Sequence, residues 1–174
     1  TKTVVVAGGA GFLGSHAVEK LKKKKKKVVI IDDFSTSSEQ NIKHVLGNPM
    51  VQLRKHDIVE PCVFTEKIDE VYNFACPASP LQYQKDPIRT VKINVLGTSN
   101  LLEVARHHNA VFFQASTSEI YGNPLVHPQV ESYLGNVNTI GPRACYDEGK
   151  RCAETLCFDY ARRYGVSIKV VRIF

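Results

Sequence analysis

Several features that would assign a protein to a class at once are missing from this sequence. Its five cysteines form no Cys-x-x-Cys pair, which argues against a zinc site, and their odd number argues against a complete disulfide framework. No apolar stretch approaches the roughly 20 residues of a membrane span, and the first residues lack the order of a signal peptide. The 43% hydrophobic content is nevertheless enough for a buried core, so we expect a folded protein with reduced thiols.

An excess of charge of one sign is also missing, except in one place. Lysine and arginine number 23 against 17 acidic residues, but six of the lysines form the single run Lys22 to Lys27. Without that run, 17 basic residues face 17 acidic ones. A pI near 9.1 would normally favour a nucleic-acid partner. Because the excess is confined to what reads as one solvated turn, we predict no such partner.

Histidines offer no alternative metal site. His107 and His108 stand at a predicted helix end, and His127 stands in a predicted loop. No third ligand occurs at metal spacing around them, so we interpret them as cap and loop residues and predict no metal.

Short apolar runs alternate with amphipathic stretches along the whole chain, which predicts an α/β fold with a doubly wound parallel (Rossmann) sheet. The runs read as buried strands, and the longer stretches have helical spacing of their apolar residues. The predicted strands are 4–7, 28–31, 51–53, 71–75, 111–115 and 167–173, and the predicted helices are 12–21, 88–107 and 145–164. Residues 122–143 read as a long loop, and loops of that length are usually functional.

A glycine-rich turn follows the first predicted strand and opens the first helix. Glycines at this point let a pyrophosphate approach the free N–H groups of the helix. Asp32 closes the next strand, where it would accept hydrogen bonds from the adenosine ribose and favour NAD over NADP. The turn predicts dinucleotide binding by Gly8, Gly11, Phe12, Leu13, Gly14 and Asp32.

Tyr146 and Lys150 stand four residues apart at the start of a predicted helix, which places the phenol and the ammonium on one face. A nearby cation lowers the pKa of a phenol, so Tyr146 would become a usable general base. Thr117 follows the fifth predicted strand, and ligands bind at the carboxyl ends of such strands. Thr117 would then hydrogen-bond the hydroxyl that Tyr146 deprotonates.

Together these motifs resemble the extended short-chain dehydrogenase/reductase superfamily, in the branch that acts on nucleotide sugars. Within it, the sequence is similar to the UDP-glucuronic acid decarboxylase (UDP-xylose synthase) family, and the resemblance covers essentially the whole chain. The stretches that carry it are 75–80, 117–122 and 141–151.

The triplet Thr117-Ser118-Glu119 distinguishes this family from its neighbours. Sugar 4,6-dehydratases of the branch have an aspartate at the middle position that protonates a leaving hydroxyl, and 4-epimerases usually lack the acidic third residue. The resemblance therefore implies decarboxylation, with the other two activities disfavoured by Ser118 and Glu119 respectively. A non-catalytic NAD-binding module is a further alternative, but it would need neither Thr117 nor Tyr146 and Lys150.

The resemblance implies a mechanism with tightly bound NAD. Tyr146, helped by Lys150 and Thr117, would take the proton of the sugar 4-hydroxyl, giving a 4-keto acid that loses carbon dioxide before hydride returns. UDP-glucuronate would thus become UDP-xylose. Ser118 and Glu119 would orient the sugar and handle its carboxylate or a proton-relaying water.

Other positions carry over by the same resemblance. A lysine of the helix after the fourth strand, Lys92, would contact the substrate, as a cation suited to a carboxylate. The further residues expected at the cofactor are Asp33, Phe34, Asp57, Ile58, Phe74 and Cys76, together with Tyr146 and Lys150.

The resemblance also sets expectations about the surroundings of this chain. The family continues into a smaller C-terminal domain that closes over the UDP-sugar, so residues 1–174 would form only the NAD-binding Rossmann domain. Alone, they would bind NAD and turn over poorly or not at all. Relatives pair through the helices 88–107 and 145–164, which implies a homodimer. A cytoplasmic location is expected, or the Golgi lumen if a membrane anchor precedes residue 1.

Overall fold

The computed structural model describes residues 1–174 and contains one six-stranded sheet. The strands are β1 (Thr3–Ala7), β2 (Lys27–Asp32), β3 (Val51–Lys55), β4 (Glu70–Asn73), β5 (Val111–Thr117) and β6 (Ile168–Ile173). The α-helices are α1 (Phe12–Lys23), α2 (Pro80–Tyr83), α3 (Pro87–Lys92), α4 (Thr98–His108) and α5 (Ala144–Tyr164). Every pairing is parallel, in the order β3-β2-β1-β4-β5-β6. The predicted α/β class and sheet type are confirmed.

The central strand β1 shows why the sheet is covered on both faces. Successive side chains of a strand point to opposite faces. Val5 and Ala7 therefore pack with residues of α4 and α5, whereas Val4 and Val6 pack with residues of α1. All five residues of β1 are buried, as expected for a strand with helices above and below it.

The predictions of buried strands were wrong for the two edges of the sheet. Along β6, every second residue is exposed, and β3 is only partly buried. An edge strand has a neighbour on one side only, so part of its surface stays in contact with solvent. The fourth strand also ends at Asn73, two residues earlier than predicted. There the Asn73 side chain accepts a hydrogen bond from the Ala75 N–H at 3.1 Å and turns the chain out of the sheet.

The helix predicted over 88–107 is present as a continuous helical run from Pro87 to His108, but it is not α-helical throughout. A π-helical stretch, Ile93–Gly97, separates α3 from α4. Inside it, Asn94 donates hydrogen bonds to the Thr90 carbonyl oxygen at 3.0 Å and to Cys76 Sγ at 3.1 Å. Stretches of this kind are frequent at functional sites. Here the extra residue turns the Asn94 side chain toward the carboxyl end of β4.

The remaining long elements agree with the sequence patterns. Helix α1 ends two residues later than predicted and α5 begins one residue earlier. The region 122–143 contains no helix or ladder, only an isolated bridge between Gly122 and Asn136. No helix combines the length and the apolar character that a membrane crossing needs.

The lysine run forms the C-terminal end of α1. The Lys26 N–H bonds to the Leu21 carbonyl oxygen at 3.2 Å, and the Lys25 N–H bonds to the Lys22 carbonyl oxygen at 2.9 Å. This pair of bonds is the Schellman motif, which places the residue after the C-cap in the left-handed region. That residue is Lys25, with φ of 56°. Glycine is the usual residue at such a position because it has no Cβ to strain the backbone.

Substituting Lys25 by glycine should therefore stabilise the fold, by about 0.5–1 kcal/mol. The free energy of unfolding in urea measures the effect. Lys24→Gly is the matched control, because Lys24 has φ of −81°, and there glycine only adds freedom to the unfolded chain, so stability should fall. A loss of stability in Lys25→Gly would contradict the assignment of the left-handed position.

Candidate functional site

The candidate cofactor cleft lies where the strand order reverses, between β1 and β4. In doubly wound sheets, ligands bind at this point, outside the carboxyl ends of the strands. Eight of the residues predicted at the cofactor line this one cleft: Gly8, Gly11, Asp32, Asp33, Asp57, Ile58, Phe74 and Cys76. The structure thus brings together positions that are up to 68 residues apart in the sequence.

The other six residues predicted at the cofactor do not line the cleft: Phe12, Leu13, Gly14, Phe34, Tyr146 and Lys150. Phe12 and Leu13 begin α1 and are exposed, so only their backbone N–H groups face the turn. Phe34 has φ of 60°, and its ring packs against the apolar cluster between the sheet and α1.

The glycine-rich turn is shaped for close backbone approach. Gly8 has φ of +74°, and a Cβ there would lie 2.8 Å from the Ala75 nitrogen. A Cβ on Gly14 would collide with the Gly8 carbonyl oxygen. The N-terminus of α1 has neither a side-chain cap nor an acidic residue in its first turn. Its free N–H groups therefore suit a phosphate anion, and the turn fits the pyrophosphate of a dinucleotide.

Asp32 is buried beside this turn and is held by its own chain. Its Oδ2 accepts a hydrogen bond from the Ala10 N–H at 2.8 Å, and its Oδ1 accepts from the Phe34 N–H at 3.0 Å and the Ser37 hydroxyl at 2.6 Å. The carboxylate thereby fixes the glycine turn to the loop after β2. The Ser37 hydroxyl shows where a second hydroxyl, such as that of a ribose, could donate to the Asp32 carboxylate. The residues present therefore fit an adenosine ribose.

Arg89 closes the same end of the cleft, and the sequence analysis missed it. Its guanidinium donates to Asp33 Oδ2 at 2.6 Å and to Asp57 Oδ2 at 2.9 Å, joining α3 to the loops after β2 and β3. Burial raises the pKa of Asp33, but hydrogen bonds from Ser35 and Arg89 outweigh it, so that pKa is lowered. Asp33 and Asp57 lie 56 and 32 residues before Arg89 in the sequence, so no local pattern indicates these two contacts.

The predicted catalytic side chains meet at the carboxyl end of β5. Thr117 is the last residue of that strand, and its hydroxyl accepts the Glu119 N–H at 3.2 Å at the start of a short 3-10 helix, Ser118–Tyr121. Tyr146 and Lys150 are both buried on successive turns of α5. Lys150 Nζ donates to the Ala115 carbonyl oxygen at 2.9 Å and lies 5.9 Å from the centre of the Tyr146 ring. The four-residue spacing therefore does place the two groups side by side.

The expected lowering of the Tyr146 pKa was wrong for this structure. Burial raises the pKa of Tyr146 to about 12, and the Cys76 thiol adds to the increase. Thr117 lowers it, but by less. Removing a phenol from water disfavours its charged form, and this is the largest of the effects on the Tyr146 pKa.

A cavity of about 270 Å³ adjoins Tyr146 and contains the whole predicted triplet Thr117, Ser118 and Glu119. Two further polar residues line it, Tyr83 and Arg143. Arg143 forms an ion pair with Glu119. The Tyr83 ring stacks on the Tyr146 ring, with centres 4.7 Å apart, and its buried hydroxyl has no hydrogen-bond partner. The cavity is therefore lined by a cation, a carboxylate and two tyrosines.

Sequence reasoning missed Tyr83 and Arg143 as site residues. Arg143 lies inside the stretch 141–151 that carried the resemblance, so its position three residues before Tyr146 was a usable signal. Tyr83 lies on the short helix α2, which no periodicity indicates. Lys92, by contrast, was predicted at the substrate, but it is exposed on the last turn of α3 and is not among the residues lining this cavity.

These observations define the class. A short-chain dehydrogenase/reductase has a doubly wound parallel sheet with a glycine-rich turn where the strand order reverses. It also brings a threonine, a tyrosine and a lysine together near the carboxyl end of the strand that corresponds to β5. This chain has the same arrangement. Within that class, the chain belongs to the family described as GDP-mannose 4,6 dehydratase, whose model matches residues 5–174.

Curated relatives carry a more specific name. The chain is 52% identical over 171 residues to UDP-glucuronic acid decarboxylase 1 of Arabidopsis thaliana, and 48% identical over 173 residues to the protein of that name from Xenopus tropicalis. These matches cover 98% and 99% of the chain but 39% and 41% of the relatives. The chain thus spans about two fifths of the length of these relatives.

A solved structure shows the same fold with a cofactor. The UDP-glucuronic acid 4-epimerase from Bacillus cereus, in complex with NAD, superposes with a TM-score of 0.81 at 30% identity. The match covers 98% of this chain and 56% of that one.

Proposed function

We propose that these residues form the NAD-binding and catalytic part of an enzyme that decarboxylates UDP-glucuronate to UDP-xylose. The observation that carries the proposal is the cavity in which Tyr146, Glu119 and Arg143 meet next to a serine at position 118. The names of the curated relatives support it.

NAD is the proposed cofactor because the residues of the cleft fit it. The free N–H groups of α1 suit the pyrophosphate, and Asp32 suits the ribose while its charge repels a 2′-phosphate. The relative solved with NAD supports this assignment. When bound, NAD accepts hydride from C4 of the sugar and later returns it.

Tyr146 is the proposed base for the sugar 4-hydroxyl. Its phenolate oxygen takes the hydroxyl proton, and Thr117 holds the same hydroxyl by a hydrogen bond. Because burial raises the pKa of the phenol to about 12, the phenolate depends on the charge of Lys150 close to it. The hydrogen bond from Lys150 Nζ to Ala115 fixes the position of that charge.

Glu119, Ser118 and Arg143 direct the fate of the 4-keto sugar. Arg143 attracts and orients the sugar carboxylate. The bond between C5 and this carboxylate breaks, carbon dioxide leaves, and the electron pair moves into the ketone to form an enolate. Ser118 is not an acid that could protonate a leaving hydroxyl, so loss of water is disfavoured. A dehydratase or a 4-epimerase is the alternative within the same class.

The proposal extends to the surroundings of the site. Helices α3 and α5 expose apolar side chains that a homodimer would bury, Ile88, Val91 and Phe158 among them, and sedimentation velocity tests this pairing. A cytoplasmic location stays a prediction, to be checked by fractionation of cells.

Product analysis tests the function. The longest natural chain that contains residues 1–174 is incubated with NAD and a mixture of UDP-glucuronate, UDP-glucose and dTDP-glucose, and the sugar nucleotides are identified by mass spectrometry. We expect only UDP-glucuronate to be converted, to a UDP-pentose. A dehydrated or epimerised sugar would show that the argument from Ser118 is wrong. No product despite bound NAD would favour a non-catalytic module.

A further inference from the structure

The proposed decarboxylation consumes one proton, and the inference that follows rests on that proposal. The proton that Tyr146 takes from the 4-hydroxyl is returned when the ketone is reduced. The proton that replaces the carboxylate at C5 must therefore come from solvent. This proton needs a donor that can reach C5 of the sugar.

A second cavity, of about 480 Å³, lies next to the substrate cavity and is open to solvent. Glu119 and Arg143 line both cavities, so their ion pair forms the wall between the two. The long loop after β5 supplies most of the other wall through Asn123, Asn136 and Asn138. Only two of the 11 lining residues are hydrophobic, and a cavity of this polarity and size holds water.

Asp147 lines this second cavity and has no role in the mechanism described above. The residue is 7% exposed, and its Oδ1 atom is buried without a hydrogen-bond partner. An unpaired buried carboxylate oxygen is costly. A protonated carboxyl avoids that cost, because a neutral group loses less when it leaves water.

We propose that Asp147 is a positioning residue for proton supply, passing protons from the water of the second cavity to Glu119, which delivers one to C5. Glu119, ion-paired with Arg143 before the reaction, takes a proton through water from the Asp147 carboxyl, and the enolate electron pair forms the new C5–H bond with that proton. Asp147 then regains a proton from solvent. The sum over the cycle is one solvent proton taken up and one carbon dioxide released.

The charges around Asp147 suit this role. Burial raises its pKa to about 6; Arg143 lowers the pKa, and Glu119 and Glu148 raise it. The other titratable neighbours are Tyr83 on α2 and Cys145 on α5. A carboxyl with this pKa exchanges protons near neutral pH, as a relay requires.

Kinetics of Asp147→Asn in the longest natural chain test the relay. We expect kcat to fall about 10- to 100-fold with KM nearly unchanged, and a UDP-4-keto-pentose to leak from the enzyme because reprotonation is slow. The kcat of the wild type should fall as the pH rises past the pKa of Asp147, because the carboxyl then loses the proton it passes on. This fall in kcat should be absent in Asp147→Asn. Asp147→Glu should restore activity, and Asp159→Asn, at an exposed site of the same helix, should change nothing.

A titration that needs no catalysis separates this inference from the proposed function. In the longest natural chain, without substrate, the side-chain carboxyl of Asp147 is followed by carbon NMR, with and without Glu119→Gln. We expect the Asp147 pKa to lie well above 4 and to fall when the Glu119 charge is removed. An ordinary pKa, or one independent of Glu119, overturns the relay whatever the enzyme catalyses. The relay is also overturned if the wild type decarboxylates UDP-glucuronate and Asp147→Asn has the same kcat and pH profile. That result leaves the proposed function intact.

Discussion

Substituting Tyr146 by phenylalanine is expected to lower kcat about 10³-fold while NAD affinity stays within a factor of about two. The phenol oxygen is the only part of the side chain that the proposed chemistry uses. The ring packs against Tyr83, with centres 4.7 Å apart, and phenylalanine keeps this stacking. Steady-state kinetics in the longest natural chain and calorimetric titration with NAD measure the two quantities.

Tyr164→Phe is the matched control for this substitution. Tyr164 ends the same helix α5 but is 48% exposed, so its hydroxyl has no part in the site, and its loss should leave kcat unchanged. If Tyr146→Phe retained most of the activity, another group would have to accept the 4-hydroxyl proton, and Tyr83, the second phenol of the cavity, would be the first to test.

Glu154→Gln is expected to lower the free energy of unfolding by about 3 kcal/mol, the second large effect. The Glu154 carboxylate accepts two hydrogen bonds from Arg172, at 3.1 and 2.9 Å, and one from the Ser116 hydroxyl at 2.5 Å. The pair joins α5 to β5 and to the edge strand β6. Its side chains are only 11% and 25% exposed, so removing one charge leaves the other poorly solvated.

Urea denaturation measures this loss, and two further variants show its cause. Asp159→Asn removes one partner of an exposed ion pair, and its cost should stay below about 0.5 kcal/mol. The double substitution Glu154→Gln with Arg172→Met removes both charges and should recover much of the stability. If the double variant were as unstable as the sum of the single ones, the loss would reflect packing and not the unpaired guanidinium.

The nucleotide side of the site could be predicted from the sequence because its signals are local. The glycine-rich turn, the aspartate that ends β2 and the Tyr-x-x-x-Lys spacing are each read within a few residues. The parallel sheet then brings them together without further information, since the carboxyl ends of its strands share one edge. The structure accordingly places Gly8, Gly11 and Asp32 in a single cleft.

Where prediction failed, distant contacts had overridden local patterns. The periodicity of residues 88–107 predicts the helix but not its π-helical segment, in which Asn94 bonds to Cys76 across 18 residues. Edge and centre of the sheet could not be distinguished for β3 and β6, because both have apolar runs. Lys92 does not line the cavity, and its contact with the substrate stays a prediction.

The sequence by itself therefore determined the fold class and the glycine-rich turn, and it predicted the side chains proposed to carry the chemistry, because residue type and short spacing decide these properties. Only the tertiary structure decided the protonation and pairing of those side chains. Burial raises the pKa of Tyr146 to about 12 and that of Asp147 to about 6, while Arg89 and Arg143 pair with carboxylates far along the chain. The physical reason is that the free energy of a charge depends on how much water surrounds it and which opposite charge lies close to it, and both are set by segments that meet only when the chain is folded.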